Sequence, residues 1–203
     1  DWAAWEAEPG RILNGDVSGK ACDWWGGRWK EDFDRAAEAG QNAHRFSIEW
    51  SRVQPAPDRW DQDALDYYRE IALGAVERGL FPLVTLHHFT NPQWLSEGGA
   101  WTHADIAEHF AAYTAKVVDA LKDVVSTWCT INEPNVVTAL GYLTGEFPPG
   151  GTSMGTAFEA MANMVRAHAA AYHVIHERQE EARVGFVINY RSLAARHGWS
   201  PFD

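Results

Sequence analysis

The chain has 203 residues, 46% hydrophobic and 22% charged with no block of like charge, a globular composition that excludes disorder and suffices for one sizeable core. Its formal net charge of -11 argues against nucleic acid or an anionic membrane as the main partner. Two cysteines, Cys22 and Cys129, cannot build a disulfide framework, and no apolar stretch approaches membrane-spanning length.

In chain order, the segment KEDFDRAAEAG (30–40) reads as a helix ended by Gly40. The run NAHRFSIEW (42–50) follows as a strand. A helix over 63–79 carries Leu65, Tyr68, Ile71, Leu73, Ala75 and Val76 on one stripe. FPLVTLHHF (81–89) is the second strand, and a helix over 103–124 then places Ile106, Phe110, Tyr113, Val117 and Leu121 three or four residues apart. VVSTWCTINE (124–133) is the third strand, with Cys129 a small buried side chain inside it. A helix over 156–178 carries Phe158, Met161, Met164, Val165, Ala169 and Tyr172, and ARVGFVINY (182–190) is the fourth strand.

Alternation of this kind means parallel strands, and strands apolar throughout their middles are covered on both faces. A doubly wound sheet and a (β/α)8 barrel both fit. No G-x-G-x-x-G turn follows any strand, whereas Glu49, His87, His88, Asn132, Glu133 and Asn189 cluster at the carboxyl ends, where a barrel keeps its chemistry. The expectation is a partial α/β (β/α)8 TIM barrel in a single domain over 1–203. Of the 11 tryptophans, several stand near Gly or Pro (Trp24, Trp25, Trp29, Trp50, Trp60, Trp94 and Trp101). Most read as core, while a minority on loops suit stacking against a sugar ring, and composition alone does not separate the two.

Glu133 ends an apolar strand and stands before Pro134, which fixes the backbone and lacks an N–H. Desolvation there suits a general acid; a loop cap or surface ion pair is the plainer alternative. Asn132 points to the opposite side in an ideal strand, but both side chains can turn toward one pocket at a frayed end. Arg45, inside a strand, needs a carboxylate opposite it, either a functional one or a structural partner such as Glu49. Of His87 and His88, at most one should look inward. His168, His173 and His176 on one helix read as surface or rim histidines, since no further ligands accompany them; no metal and no cofactor is expected.

Five segments together resemble one family, glycoside hydrolase family 1, the retaining β-glucosidases and β-galactosidases. RFSIEWSRVQP (45–55) resembles the family's second-strand segment, and TLHHFTNPQWL (85–95) its T-L-x-H-W-x-x-P-x-W-L segment after strand three. WCTINEPN (128–135) is similar to the W-x-T-x-N-E-P signature closing strand four, and GYLTGEFPPG (141–150) to the loop after it. EDFDRAAEAG (31–40) is similar to the family's first helix entry.

The resemblance implies roles residue by residue. Glu133 would be the general acid/base, Asn132 would bond the sugar's 2-hydroxyl, and His88 the 3-hydroxyl. Arg45 would hold the nucleophilic carboxylate ionised, and Asn189 would support the pocket from behind. Phe89 stands where the family has tryptophan, Thr90 replaces a common aspartate, and Glu49 a common small residue. The substrate implied is a terminal β-D-glycoside, a β-glucoside first; a related barrel endoglycanase and a non-catalytic carbohydrate-binding fragment are the competing readings.

The family's nucleophile is the glutamate of an E-N-G motif on strand seven, and no glutamate here is followed by Asn-Gly. The chain therefore resembles strands two to five, with the first strand and strands six to eight expected outside it. It would be inactive alone and would pair through its open sheet edges with a complementary C-terminal barrel half or with itself. No signal peptide opens the sequence, which begins at Asp1, so a cytoplasmic location is expected.

Overall fold

Four parallel strands form one sheet in the order β1 (Ala43–Ser47), β2 (Phe81–His87), β3 (Thr127–Asn132), β4 (Arg183–Val187). The structure, a computed structural model, describes residues 1–19 and 21–190; the loop-like RHGWSPFD (196–203) lies outside them. Strand order equals chain order, and rows run straight across: Arg45 opposite Leu83, Leu83 opposite Thr127, Thr127 opposite Arg183. A doubly wound sheet would reverse direction at a switch point. This one does not, and it is an arc of a (β/α)8 barrel.

Helix α1 (Trp2–Glu6) opens the chain and α2 (Trp29–Glu38) precedes β1. Short α3 (Trp50–Val53) and long α4 (Gln62–Glu77) join β1 to β2, and α5 (Gln93–Glu97) and α6 (Ile106–Leu121) join β2 to β3. Helix α7 (Pro134–Val136), a wide helical stretch over Val137–Leu143 and α8 (Met154–Arg178) lead to β4. Sequence fixes several boundaries chemically. Asp61 caps α4 by accepting from the Ala64 N–H at 2.9 Å. Gly40, at φ 76°, turns the chain after α2 in a conformation that other residues resist. No helix among the described residues is long and apolar enough to cross a membrane.

The core lies between sheet and helices, with Val84, Leu86 and Trp128 from the strands meeting Phe33, Leu65, Ile71, Phe110, Val117, Leu121, Met164 and Ile175. Each such side chain contributes roughly 1.5–3 kcal/mol by leaving water. Trp29, Trp50 and Trp101 are core. Trp50 stacks on Tyr113 with ring centres 4.7 Å apart. The buried Tyr113 hydroxyl donates to the Leu86 carbonyl at 2.9 Å and lies 3.3 Å from that of Ile48, pinning α6 over the ends of β1 and β2. Burial pushes that phenol's pKa upward.

Two helical stripes differ from the sequence expectation. On α6 the expected five residues are all buried, but on α4 Val76 is exposed and Ala72 and Gly74 are buried instead. On α8 the inward face is Ala157, Ala160, Asn163, Met164, Ala167, Ala171 and Ile175, while Phe158, Val165, Ala169 and Tyr172 are exposed. The reason is steric: α8 runs against α6, and a row of alanines lets two helices approach where large side chains would hold them apart. Periodicity cannot choose between two apolar faces of one helix.

A glycine in mid-helix usually gains about 1 kcal/mol on replacement by alanine. At Gly74 the added Cβ would be driven into the Trp29 ring, itself held by its indole N–H donating to Tyr67 at 3.2 Å. Gly74→Ala is therefore expected to lower stability by about 1–3 kcal/mol through overpacking, measured as the shift of the urea midpoint; a raised midpoint would show that the tryptophan moves aside freely.

Candidate active site

The carboxyl ends of the strands carry a cluster of polar side chains, and its centre is the junction of β3 with α7. Between Cys129 and Asn132, β3 advances three residues while β4 advances two, from Gly185 to Val187. One extra residue is accommodated there, a bulge of the kind that re-aims side chains at a sheet edge or active site. Glu133 follows in the left-handed region at φ 47°, ψ 59°. A non-glycine residue held there costs on the order of 1–3 kcal/mol and needs surrounding structure to keep it. That structure is visible: its N–H donates to the Val187 carbonyl at 2.7 Å, and its carbonyl accepts from Val136 at 2.9 Å and Val137 at 3.1 Å. Pro134, first in α7, occupies a position whose N–H would have no helical partner.

Bulge and turn together break the strict alternation of β3 at Asn132 and Glu133. Asn132 is 2% exposed, and its Oδ1 has no hydrogen-bond partner among the described residues, an orphaned acceptor at the site. Glu133 is half-buried, with Oε1 accepting from Asn189 Nδ2 at 3.3 Å. His88 is half-buried beside both Arg45 and Glu133: burial lowers its pKa, the Arg45 charge lowers it further, and the Glu133 carboxylate opposes them. His88 thus sits within electrostatic reach of both Arg45 and Glu133, with Asn132 next to Glu133 in sequence and Asn189 bonded to it.

Arg45 is exposed on β1 and makes no ion pair among the described residues. The structural pair with Glu49 does not form. Glu49 instead caps α3, accepting from the Ser51 N–H at 3.3 Å, the Ser51 hydroxyl at 2.7 Å and the Thr90 hydroxyl at 2.8 Å. The two departures at positions 49 and 90 are therefore in contact, and they tie the loop after β1 to the loop after β2. Phe89, between His88 and Thr90, is a second strained residue at φ 73°. Its ring lies edge-on to His88 at 4.9 Å and 5.7 Å from Phe147, which meets Trp2 at 4.9 Å. Trp24 and Trp25 line a different hollow of about 650 Å³ with Ser47, Glu49, Arg52 and Tyr68; Arg52 lies 4.3 Å over the Trp25 ring.

Of the two adjacent histidines only His88 reaches the charged cluster. His87 is buried, its Nε2 lies 3.2 Å from Asn91 Oδ1, and its ring meets Trp101 edge-on at 4.8 Å. On α8 the surface expectation fails for His168: it is half-buried, its Nδ1 lies 2.8 Å from Thr130 Oγ1, and Phe186 of β4 covers its ring at 4.9 Å. Sequence spacing along one helix could not show that a strand threonine faces it. Asn135, two residues after Glu133, was given no role by motif; it bonds both backbone groups of Asn189.

The sequence profile of Glycosyl hydrolase family 1 matches residues 1–197. The chain belongs to glycosyl hydrolase family 1. Beta-glucosidase A of Thermotoga maritima is 38% identical over 189 residues, which cover 93% of this family 1 chain and 42% of that relative. The cytosolic beta-glucosidase of Homo sapiens is 35% identical over 166 residues, 80% of this chain and 35% of the relative. The solved family 1 β-glucosidase from Thermotoga maritima superposes with a TM-score of 0.89 at 38% identity, again over 93% of this chain and 42% of that one. A structure of that enzyme in complex with glucoimidazole gives 0.88. The chain thus spans less than half the length of the relatives it matches.

Burial pushes the His87 pKa down from 6.5 to about 3, with Asn91 opposing and His88 reinforcing the fall. A depressed histidine means that the unfolded chain binds the extra proton first, so stability falls as pH drops below 6.5 and continues to fall toward 3. Between pH 7 and pH 5 the parent chain should lose about 2 kcal/mol more than His87→Phe, read from urea midpoints at both pH values; equal losses would show that His87 takes up its proton in the fold as readily as in the unfolded chain.

Proposed function

We propose that this chain is the acid/base-bearing part of a retaining β-glycosidase, with terminal β-glucosides as substrates. The observation that supports the reading is that His88 lies within electrostatic reach of both Glu133 and Arg45 at the carboxyl face of the sheet, with the buried Asn132 adjacent to Glu133. Glu133 protonates the glycosidic oxygen as the bond to the anomeric carbon breaks, and its carboxylate then takes a proton from the water that releases the sugar. Asn132 bonds the 2-hydroxyl, a contact that strengthens as positive charge develops on the ring, and His88 bonds the 3-hydroxyl. The orphaned Asn132 oxygen supports this: an unpaired buried acceptor is costly until a donor arrives. Asn189 supports the pocket from behind through its bond to Glu133.

A retaining mechanism needs a second carboxylate about 5–5.5 Å from the first. Arg45, exposed and unpaired among the described residues, is the cation placed to hold such a group ionised once it is supplied. The sequence contains no E-N-G segment, so the nucleophile comes from a complementary part of the barrel. The surface next to β4 fits an apolar partner. Phe158, Val165, Tyr172, Phe186 and Ile188 are exposed there, and Ile131, Pro134, Met164, Val165, His168 and Phe186 line a small apolar hollow of about 70 Å³. A cytoplasmic location belongs to the same reading, in line with the cytosolic relatives.

The test is a chimera in which this chain replaces the matched segment of Thermotoga maritima beta-glucosidase A. The chain alone should leave an aryl β-glucoside unhydrolysed, while the chimera turns it over. In the chimera Glu133→Ala should cut kcat/KM on an alkyl glucoside by roughly 10²–10⁴-fold, and less on a dinitrophenyl glucoside that needs no protonation. Equal losses on both substrates, or none, would remove Glu133 from the acid/base role and favour a binding fragment.

A further inference from the structure

Pro134 has no N–H, so the hydrogen-bond ladder between the ends of β3 and β4 should stop after the Glu133 N–H meets Val187. It continues by another route. The Asn135 side chain donates from Nδ2 to the Asn189 carbonyl at 2.8 Å and accepts at Oδ1 from the Asn189 N–H at 3.3 Å. A carboxamide has the same donor and acceptor as a peptide group, and here it takes both main-chain groups of one residue two positions beyond β4. Asn189 then turns its own carboxamide to Glu133, donating from Nδ2 to Oε1 at 3.3 Å. The three residues close a ring: covalent from Glu133 to Asn135, and hydrogen-bonded from there through Asn189 back to Glu133.

We propose that Asn135 is a positioning residue that clamps the backbone of Asn189, so that the Asn189 carboxamide holds the Glu133 carboxyl with Oε1 occupied and Oε2 free to carry the proton. This rests on the acid/base reading of Glu133. An amide N–H bonds the carbonyl oxygen of a carboxylic acid better than its hydroxyl oxygen, so the bond to Oε1 favours Oε2 as the oxygen that carries the proton. Without the clamp the carboxyl turns about its last torsion, a broad two-fold one, and offers the wrong oxygen half the time. No motif identifies this device, because Asn135 and Asn189 lie far apart in sequence and meet only where β4 ends beside α7.

Two measurements test it, one of them independent of catalysis. In the full chain, one side-chain amide proton of Asn189 should be displaced in the NMR spectrum by its bond to Glu133, and Glu133→Ala should abolish that displacement. Asn135→Ala should reproduce the loss with Glu133 still present, and Asn135→Ser serves if the alanine variant does not fold. Asn189 signals unchanged in a folded Asn135 variant would overturn the clamp. In the chimera, Asn135→Ala should lower kcat on an alkyl glucoside by between about tenfold and a hundredfold, as displaced catalytic groups do, with a smaller loss on the dinitrophenyl glucoside. Equal losses on both would overturn the proton-placing role. If Glu133→Ala alone leaves turnover intact, the acid/base reading fails; if Glu133→Ala behaves as an acid variant and Asn135→Ala does not, only the clamp fails.

Discussion

The hydrogen bond from the Glu133 N–H to the Val187 carbonyl, 2.7 Å long, holds a glutamate in a backbone conformation that side chains avoid. Everything at the carboxyl face follows from that constraint. Freed from it, Glu133 would return to extended backbone and continue the alternation of β3, pointing opposite to Asn132. With it, and with the extra residue of the bulge, the strict alternation of side chains is broken between Asn132 and Glu133. The proline after the glutamate adds a fixed φ and removes a donor that the turn has no acceptor for. The local stretch is strained, and the parallel ladder of β3 with β4 is what keeps it so.

The sheet was legible from its apolar runs, and all four strands appear where those runs lie, trimmed by a few residues at the ends. Burial on both faces holds for β2 and β3 but not for the outer β1 and β4, which are largely exposed. The helices were legible as elements but not always as faces. On α6 one stripe is apolar and faces inward; on α8 two are, and alanines rather than Phe158, Val165 and Tyr172 meet α6. Motifs drew attention to Glu133, Asn132 and His88, and of these His88 lies within electrostatic reach of Glu133. What sequence could not show depends on contacts between distant segments: the Thr130–His168 pair, the Glu49–Thr90 tie and the amide ring through Asn135. Arg45 illustrates the opposite case. Its charge called for a partner, and the structure leaves it open toward the concave face.

That openness connects the fold to its chemistry. A barrel enzyme assembles its site from the ends of several strands, so an arc of four strands carries some of the groups and not others. Here the arc holds a carboxylate, a histidine and two amides at the ends of β2, β3 and β4, and an exposed cation on β1. The buried core is extensive, with rows of side chains fully removed from water between sheet and helices, so the arc has the packing to hold its shape. Phe186 and Ile188, on β4 and just after it, are exposed.

The most direct test of the central claim is a crystal structure of the chimera with glucoimidazole bound, the ligand already seen in the Thermotoga maritima enzyme. The side chain of Glu133 is predicted to lie in the plane of the imidazole, within hydrogen-bond distance of the ring nitrogen that stands for the glycosidic oxygen. Asn132 should reach the 2-hydroxyl and His88 the 3-hydroxyl. A ligand seated with Glu133 turned away from that nitrogen, and a different acid in its place, would contradict the assignment.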